Sequence, residues 1–178
     1  MSAAGVLSIF LTLACAGNPE APSPVALSAA TFTASTLSFT SDPQDFVGQG
    51  QARVYTLQNA VFLQSVGRSG GFISVAVQPK DQSPSAQWSL IIMAPTGQRI
   101  TPGSYDTTRL NTNSTYGLDF VGNMHGCNDE AGHMVIHSVE VGPDLMSVKH
   151  LRVSFENHCD GRSAALRGEV AVLADPWR

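Results

Sequence analysis

Charge is scarce in this sequence. Asp, Glu, Lys and Arg make up 13% of its 178 residues, about half of the ~25% usual in globular domains, and lysine occurs only at Lys80 and Lys149. With a net charge of -4 at pH 7 the chain lacks the cationic footprint that nucleic acid or anionic lipid requires, so those partners are excluded. Missing too are the Walker loop, GxGxxG, HExxH, GxSxG and any paired CxxC, and with them the chemistries those motifs announce. No apolar run approaches the roughly 20 residues of a membrane helix. Beyond residue 35 no stretch of about ten residues places apolar side chains at helical spacing.

What is present is apolar and rich in turns. Hydrophobic residues reach 43%, with 16 Gly and 10 Pro, too apolar for a disordered chain and about the length of one domain. Residues 1–17, MSAAGVLSIFLTLACAG, hold an apolar run from Val6 to Ala14 suited to a signal-peptide core. LTLAC resembles a lipobox, which would make Cys15 the lipidated first residue of the mature chain, although Thr12 stands where that pattern has Leu and no basic residue opens the sequence. Ala14-Cys15-Ala16 equally fits the small-x-small site of ordinary secretion, which would discard Cys15. The expectation is a protein exported to a bacterial cell envelope, touching the membrane only through a lipid on Cys15. Residues 18–34, Pro, Ala, Ser and Thr with a single charge, read as an extended linker, or else as a fraying first strand.

From residue 35 to 178 the pattern is one of strands. Runs at Thr36–Thr40, Ala52–Leu57, Val61–Val66, Phe72–Gln78, Trp88–Ala94, Tyr116–Val121, Met134–Val141, Val148–Glu156 and Leu166–Leu173 are separated by turn signals such as SDPQD, GRSGG, PKDQSP, TPGS and CDGR. Short strands so spaced predict a single antiparallel β-sandwich, jelly-roll-like, with Phe72–Val77 and Trp88–Met93 as central strands. For the hairpin around Gly142, setting Gly142 against Val148 pairs Val135 with Phe155, His137 with Val153 and Val139 with Leu151 on the inner face. The same register puts Glu140 beside His150 and Arg152 on the outer one.

With Cys15 accounted for by either leader reading, Cys127 and Cys159 remain, and two cysteines in an exported chain predict a disulfide. The histidines fall late, at 125, 133, 137, 150 and 158. His133 and His137 share a face by period two, with His158 or Glu156 near, but the register turns His137 inward and no three converge on a zinc ion. Asp42 and Asp45, flanking a proline turn before Gly48 and Gly50, supply hard oxygens of the kind calcium takes, and also the usual chemistry of a turn. Calcium is therefore the one cofactor worth weighing. Trp88 runs in phase with Leu90 and Ile92 and reads as core. Tyr105 and Tyr116 border the polar loop TTRLNTNST, where Arg109, Asn111 and Asn113 can add hydrogen bonds to a stacked sugar. Asp119, Glu140 and Glu156 are candidate acids for a hydrolase, but no spacing selects a pair among them.

The segments LSFTSDPQDFVGQGQ, WSLIIMAPTGQRITPGSY, GLDFVGNMHGCN and FENHCDGRSAALRGEV together resemble a family of uncharacterised bacterial exported β-sandwich modules, over Leu37 to Val170. The GCN and FExHCxG combination is the most specific part. That resemblance implies an exported sandwich with a Cys127–Cys159 bridge and brings no activity with it. The resulting expectation is a noncatalytic envelope module that binds a glycan or an envelope protein, with an extracytoplasmic hydrolase as the competing class.

Overall fold

A computed structural model describes residues 33–67, 69–81, 86–109, 113–144 and 147–174. The expected leader with Cys15, nearly all of the expected linker, Asn111 and Trp177 lie outside the described residues. Ten strands form: β1 (Thr36–Ser41), β2 (Ala52–Thr56), β3 (Ala60–Val66), β4 (Phe72–Pro79), β5 (Trp88–Met93), β6 (Gly103–Thr108), β7 (Tyr116–Gly122), β8 (Glu130–Val141), β9 (Val148–Cys159) and β10 (Ala165–Leu173). They make one sheet in the order β2-β1-β10-β9-β8-β6-β7-β5-β4-β3. β2 and β3 are joined by a tight turn yet stand at opposite ends of that order, so the sheet curls round until its edges nearly meet. The result is an all-β, sandwich-like fold close to a barrel. Alternation along each strand fills the interior, where Phe39, Trp88, Phe120 and Phe155 pack ring against ring, Phe39 to Trp88 at 4.4 Å and Phe120 to Phe155 at 5.0 Å.

β6 is the strand that the sequence pattern does not announce. GSYDTT carries a single large apolar side chain, and its outward Ser104, Asp106 and Thr108 read as loop. Hydrogen bonds from both sides create it: β6 runs antiparallel to β8 and parallel to β7, which makes the sheet mixed rather than purely antiparallel. β4 and β5 each have neighbours on both sides, but they sit near the β3 edge rather than at the middle of the sheet.

The β8–β9 hairpin corrects the expected register. Ser138 pairs with Arg152, Val139 with Leu151 and Glu140 with His150 as expected, but a second irregularity after Glu140 sets Val141, not Gly142, against Val148, and a bulge between Ile136 and Ser138 shifts the ladder so that Met134 meets Phe155 and Ile136 meets Val153. The cause is a change of phase in the apolar residues: Met134 and Ile136 are core, and Val139, three residues on and partly buried, packs against the same core, so only an inserted residue turns both sets inward. His137 is that inserted residue. It does not lie against Val153; its Nε2 meets the Ser154 hydroxyl at 2.9 Å. Arg152 likewise leaves Glu140 and forks onto Glu169 at 3.0 and 3.2 Å, while Glu140 takes Lys149 at 2.6 Å and His150 at 3.6 Å.

Candidate functional site

Tyr105 and Tyr116, expected as sugar platforms, are brought together but against each other. Their rings stack at 3.9 Å, Tyr116 is buried, and the Tyr105 hydroxyl donates to the Thr101 and Pro102 carbonyls. Arg109, at the end of β6, donates from Nη1 to the Asn128 carbonyl at 3.0 Å, and Asn113 is exposed in a bend. Asp42 accepts the Ala165 amide on Oδ2 and faces Arg167 through Oδ1 at 3.4 Å, whereas Asp45 is buried and takes the Gly48 amide. Burial pushes the Asp45 carboxyl upward, against the lowering effect of those turn amides. Asp42 therefore spends its oxygens on holding the turn to β10, and Asp45 spends one on closing the turn itself.

The histidines disperse. His125 meets the Asn123 carbonyl and Gln49, His137 meets Ser154, His150 faces Glu140, and His158 pairs with Glu156 at 2.9 Å. His133 is placed differently: it lies opposite Asp106 in the β6–β8 ladder, with Asp106 Oδ1 at 3.0 Å from Nδ1 and the Ser104 hydroxyl at 2.8 Å from Nε2. This carboxylate, imidazole and hydroxyl series has the order of a hydrolytic triad. Its electrostatics differ, because the Asp106 side chain is 97% exposed and a carboxylate in water does little to orient or charge an imidazole. The series acts as a surface brace between two strands. Sequence reading missed it because Ser104 and Asp106 belong to the strand it did not see.

Ser104, the hydroxyl end of that brace, also lines a groove of about 500 Å³, together with Pro102 and Gly103, Val135 to Val139, and His150. Its origin is local. β6 begins opposite Ile136, and Pro102, without an N–H, cannot carry the ladder further. The last residues of β8 thus lose their neighbour on that side where the His137 bulge also breaks the ladder. Val135 and Val139 offer apolar floor; Ser104, Ser138, His137 and His150 offer polar edges.

A second cluster lies inside the fold. Beyond Thr108, β6 no longer separates β7 from β8, and Glu130 reaches across the gap, its Oε1 accepting the Phe120 amide at 3.4 Å and Asn157 Nδ2 at 2.9 Å. Asp119 lies close enough to Glu130 and Arg109 for each to influence its carboxyl, and its Oδ1, like Glu130 Oε2, is buried with no hydrogen-bond partner among the described residues. Asp119, Glu130 and Asn157 are 5%, 2% and 2% exposed. Burial first, and then the Asp119 charge, push the Glu130 carboxyl up to about 8, and burial raises Asp119 as well. Asp119 was among the candidate acids in the sequence; Glu130, its partner, was not, and only the end of β6 brings the two together.

Cys127 and Cys159 are disulfide-bonded, with Cα atoms 5.2 Å apart and a separation of 32 positions in sequence. Cys159 pairs with Glu130 in the ladder, so the bridge closes the same end of the sheet as the acid cluster. Such a bond fits a protein that folds outside a reducing cytoplasm. No protein-family model, curated protein or solved structure matches the chain.

Proposed function

We propose that this chain is a noncatalytic binding module of a bacterial cell envelope, exported through its N-terminal segment, held by a lipid on Cys15, and taking a glycan in the groove between β6, β8 and β9. The groove carries this reading. Its volume of about 500 Å³ falls within the 300–1,000 Å³ or so of small-ligand clefts, and its apolar floor with imidazole and hydroxyl edges suits a sugar, which presents C–H faces and hydroxyl rims. The stacked Tyr105 and Tyr116 move to a supporting role beneath β6. The resemblance to exported bacterial sandwich modules and the disulfide agree with the location.

Glycan-array binding tests it. Ser138→Trp, which fills the groove, is expected to abolish binding that Asn113→Ala leaves intact. Loss in Asn113→Ala with retention in Ser138→Trp would return the site to the loop at 109–116. Mass spectrometry of the mature N-terminus tests the anchor, since a chain starting after Cys15 without lipid would refute it.

A second reading, an envelope protein-interaction module, is favoured by one observation. Val54, Leu57, Val61 and Leu63 are exposed large hydrophobics on β2, β3 and their turn, where both sheet edges lie open. An empty array together with specific cross-linking of Leu63 to one envelope protein would replace the glycan reading with this one.

A further inference from the structure

Glu130 occupies the place of a missing strand. Beyond the end of β6 the Phe120 amide has no neighbouring backbone on that side, and a carboxylate oxygen accepts it instead. The same oxygen takes Asn157 of β9, so one side chain joins β7, β8 and β9 at the end closed by the disulfide.

We propose that the Asp119–Glu130 pair is a proton-operated latch on this wedge: one proton held between the two carboxyls keeps the three strands joined, and its loss lets segment 123–129, with the Cys127 half of the disulfide, open to solvent. Asp119 Oδ1 and Glu130 Oε2 are both buried with no hydrogen-bond partner among the described residues, and two neighbouring carboxyls satisfy such oxygens by sharing one proton. The charges facing the pair are few. The end of β6 brings Arg109, committed through Nη1 to the Asn128 carbonyl; β7 brings Asp119; β9 brings the neutral Asn157. The other charged groups nearby are turned elsewhere: Glu156 and His158 pair with each other, and exposed Asp160 takes the Asn128 and Asp129 amides. One exposed guanidinium cannot compensate two buried negative charges, and burying an uncompensated charge is costly. A metal ion fits less well. The unpartnered oxygens number three, on Asp119, Glu130 and Asn157, against the six to eight that calcium takes, and Arg109 opposes a second cation.

The sign follows from linkage. The folded pair holds a proton that the opened segment gives up near the ordinary carboxylate range, so the latch is secure at acid pH and weakens as pH rises toward about 8. The test is amide hydrogen exchange on the full-length chain from about pH 5 to 9, with opening constants at residues 118–130 corrected for the intrinsic rate. Expected is a rise of roughly tenfold per pH unit that levels off once the pair titrates. Glu130→Gln, whose amide stands in for the protonated carboxyl, should flatten the profile, and Asp119→Asn should make it level off at lower pH. An opening constant independent of pH in the wild type, or the same rise in Glu130→Gln, overturns the proposal. So does suppression of opening by millimolar calcium at high pH that Asp119→Asn abolishes, which would make the wedge a cation site. Asp119→Asn and the wild-type profile decide the question even if Glu130→Gln folds poorly.

Discussion

The indole N–H of Trp88 donates to the Tyr55 hydroxyl at 3.0 Å, joining β5 to β2 across the interior. Both residues are buried, so Tyr55→Phe strands the indole N–H with no acceptor. Chemical denaturation should show a loss of about 1–3 kcal/mol, the cost of an unsatisfied buried donor. Unchanged stability would mean that this bond contributes nothing to holding the sheet's two ends together.

Trp88 also explains Gly122. A Cβ at residue 122 would collide with Cε3 and Cζ3 of the indole ring, which rests directly on the glycine. Gly122→Ala must displace Trp88 from Phe39 and Phe120, and an overpacked core of this kind costs roughly 1–3 kcal/mol. Thermal unfolding and the near-ultraviolet tryptophan dichroism should change together.

The Cys127–Cys159 bridge staples the end of the sheet that β6 does not reach. Replacing both cysteines by Ala should lower stability by roughly 3–4 kcal/mol in the chain-entropy model. Nonreducing peptide mapping of the native protein should recover the two peptides linked; two free thiols would contradict the structure.

Glu156 predicts a pH dependence opposite in sign to that of the latch. His158 first, and then Arg167, hold its carboxyl below the ordinary range, so its contribution is present above about pH 4.5, the unfolded value, and is lost as pH falls through the lowered one. The group is exposed and water screens it, so the effect is small. Glu156→Gln should give a shallower acid limb in thermal unfolding, and added salt should shrink the difference from wild type.

Nine strands were legible because each carries its own alternation, and the disulfide was legible from cysteine arithmetic. In the β8–β9 hairpin, the change of apolar phase between Ile136 and Val139 was a visible bulge signal, and reading it would have placed His137 outside. β6 left no comparable trace. Its outward residues are polar, its one large side chain is Tyr105, and flanking strands far away in the chain supply its hydrogen bonds.

The sequence by itself determined an all-β domain, the inward-facing side chains of strands with one unbroken alternation such as β5, and the pairing of Cys127 with Cys159, because alternation and composition are local properties. Tertiary structure alone decided where β6 inserts, and both candidate sites follow from that one strand. Its beginning at Gly103 leaves the groove beside Pro102 and His137. Its end after Thr108 leaves the wedge that Glu130 fills, setting two acids eleven residues apart in contact. Spacing along the chain cannot reveal such a pair, since the gap that joins them is made by a strand that stops.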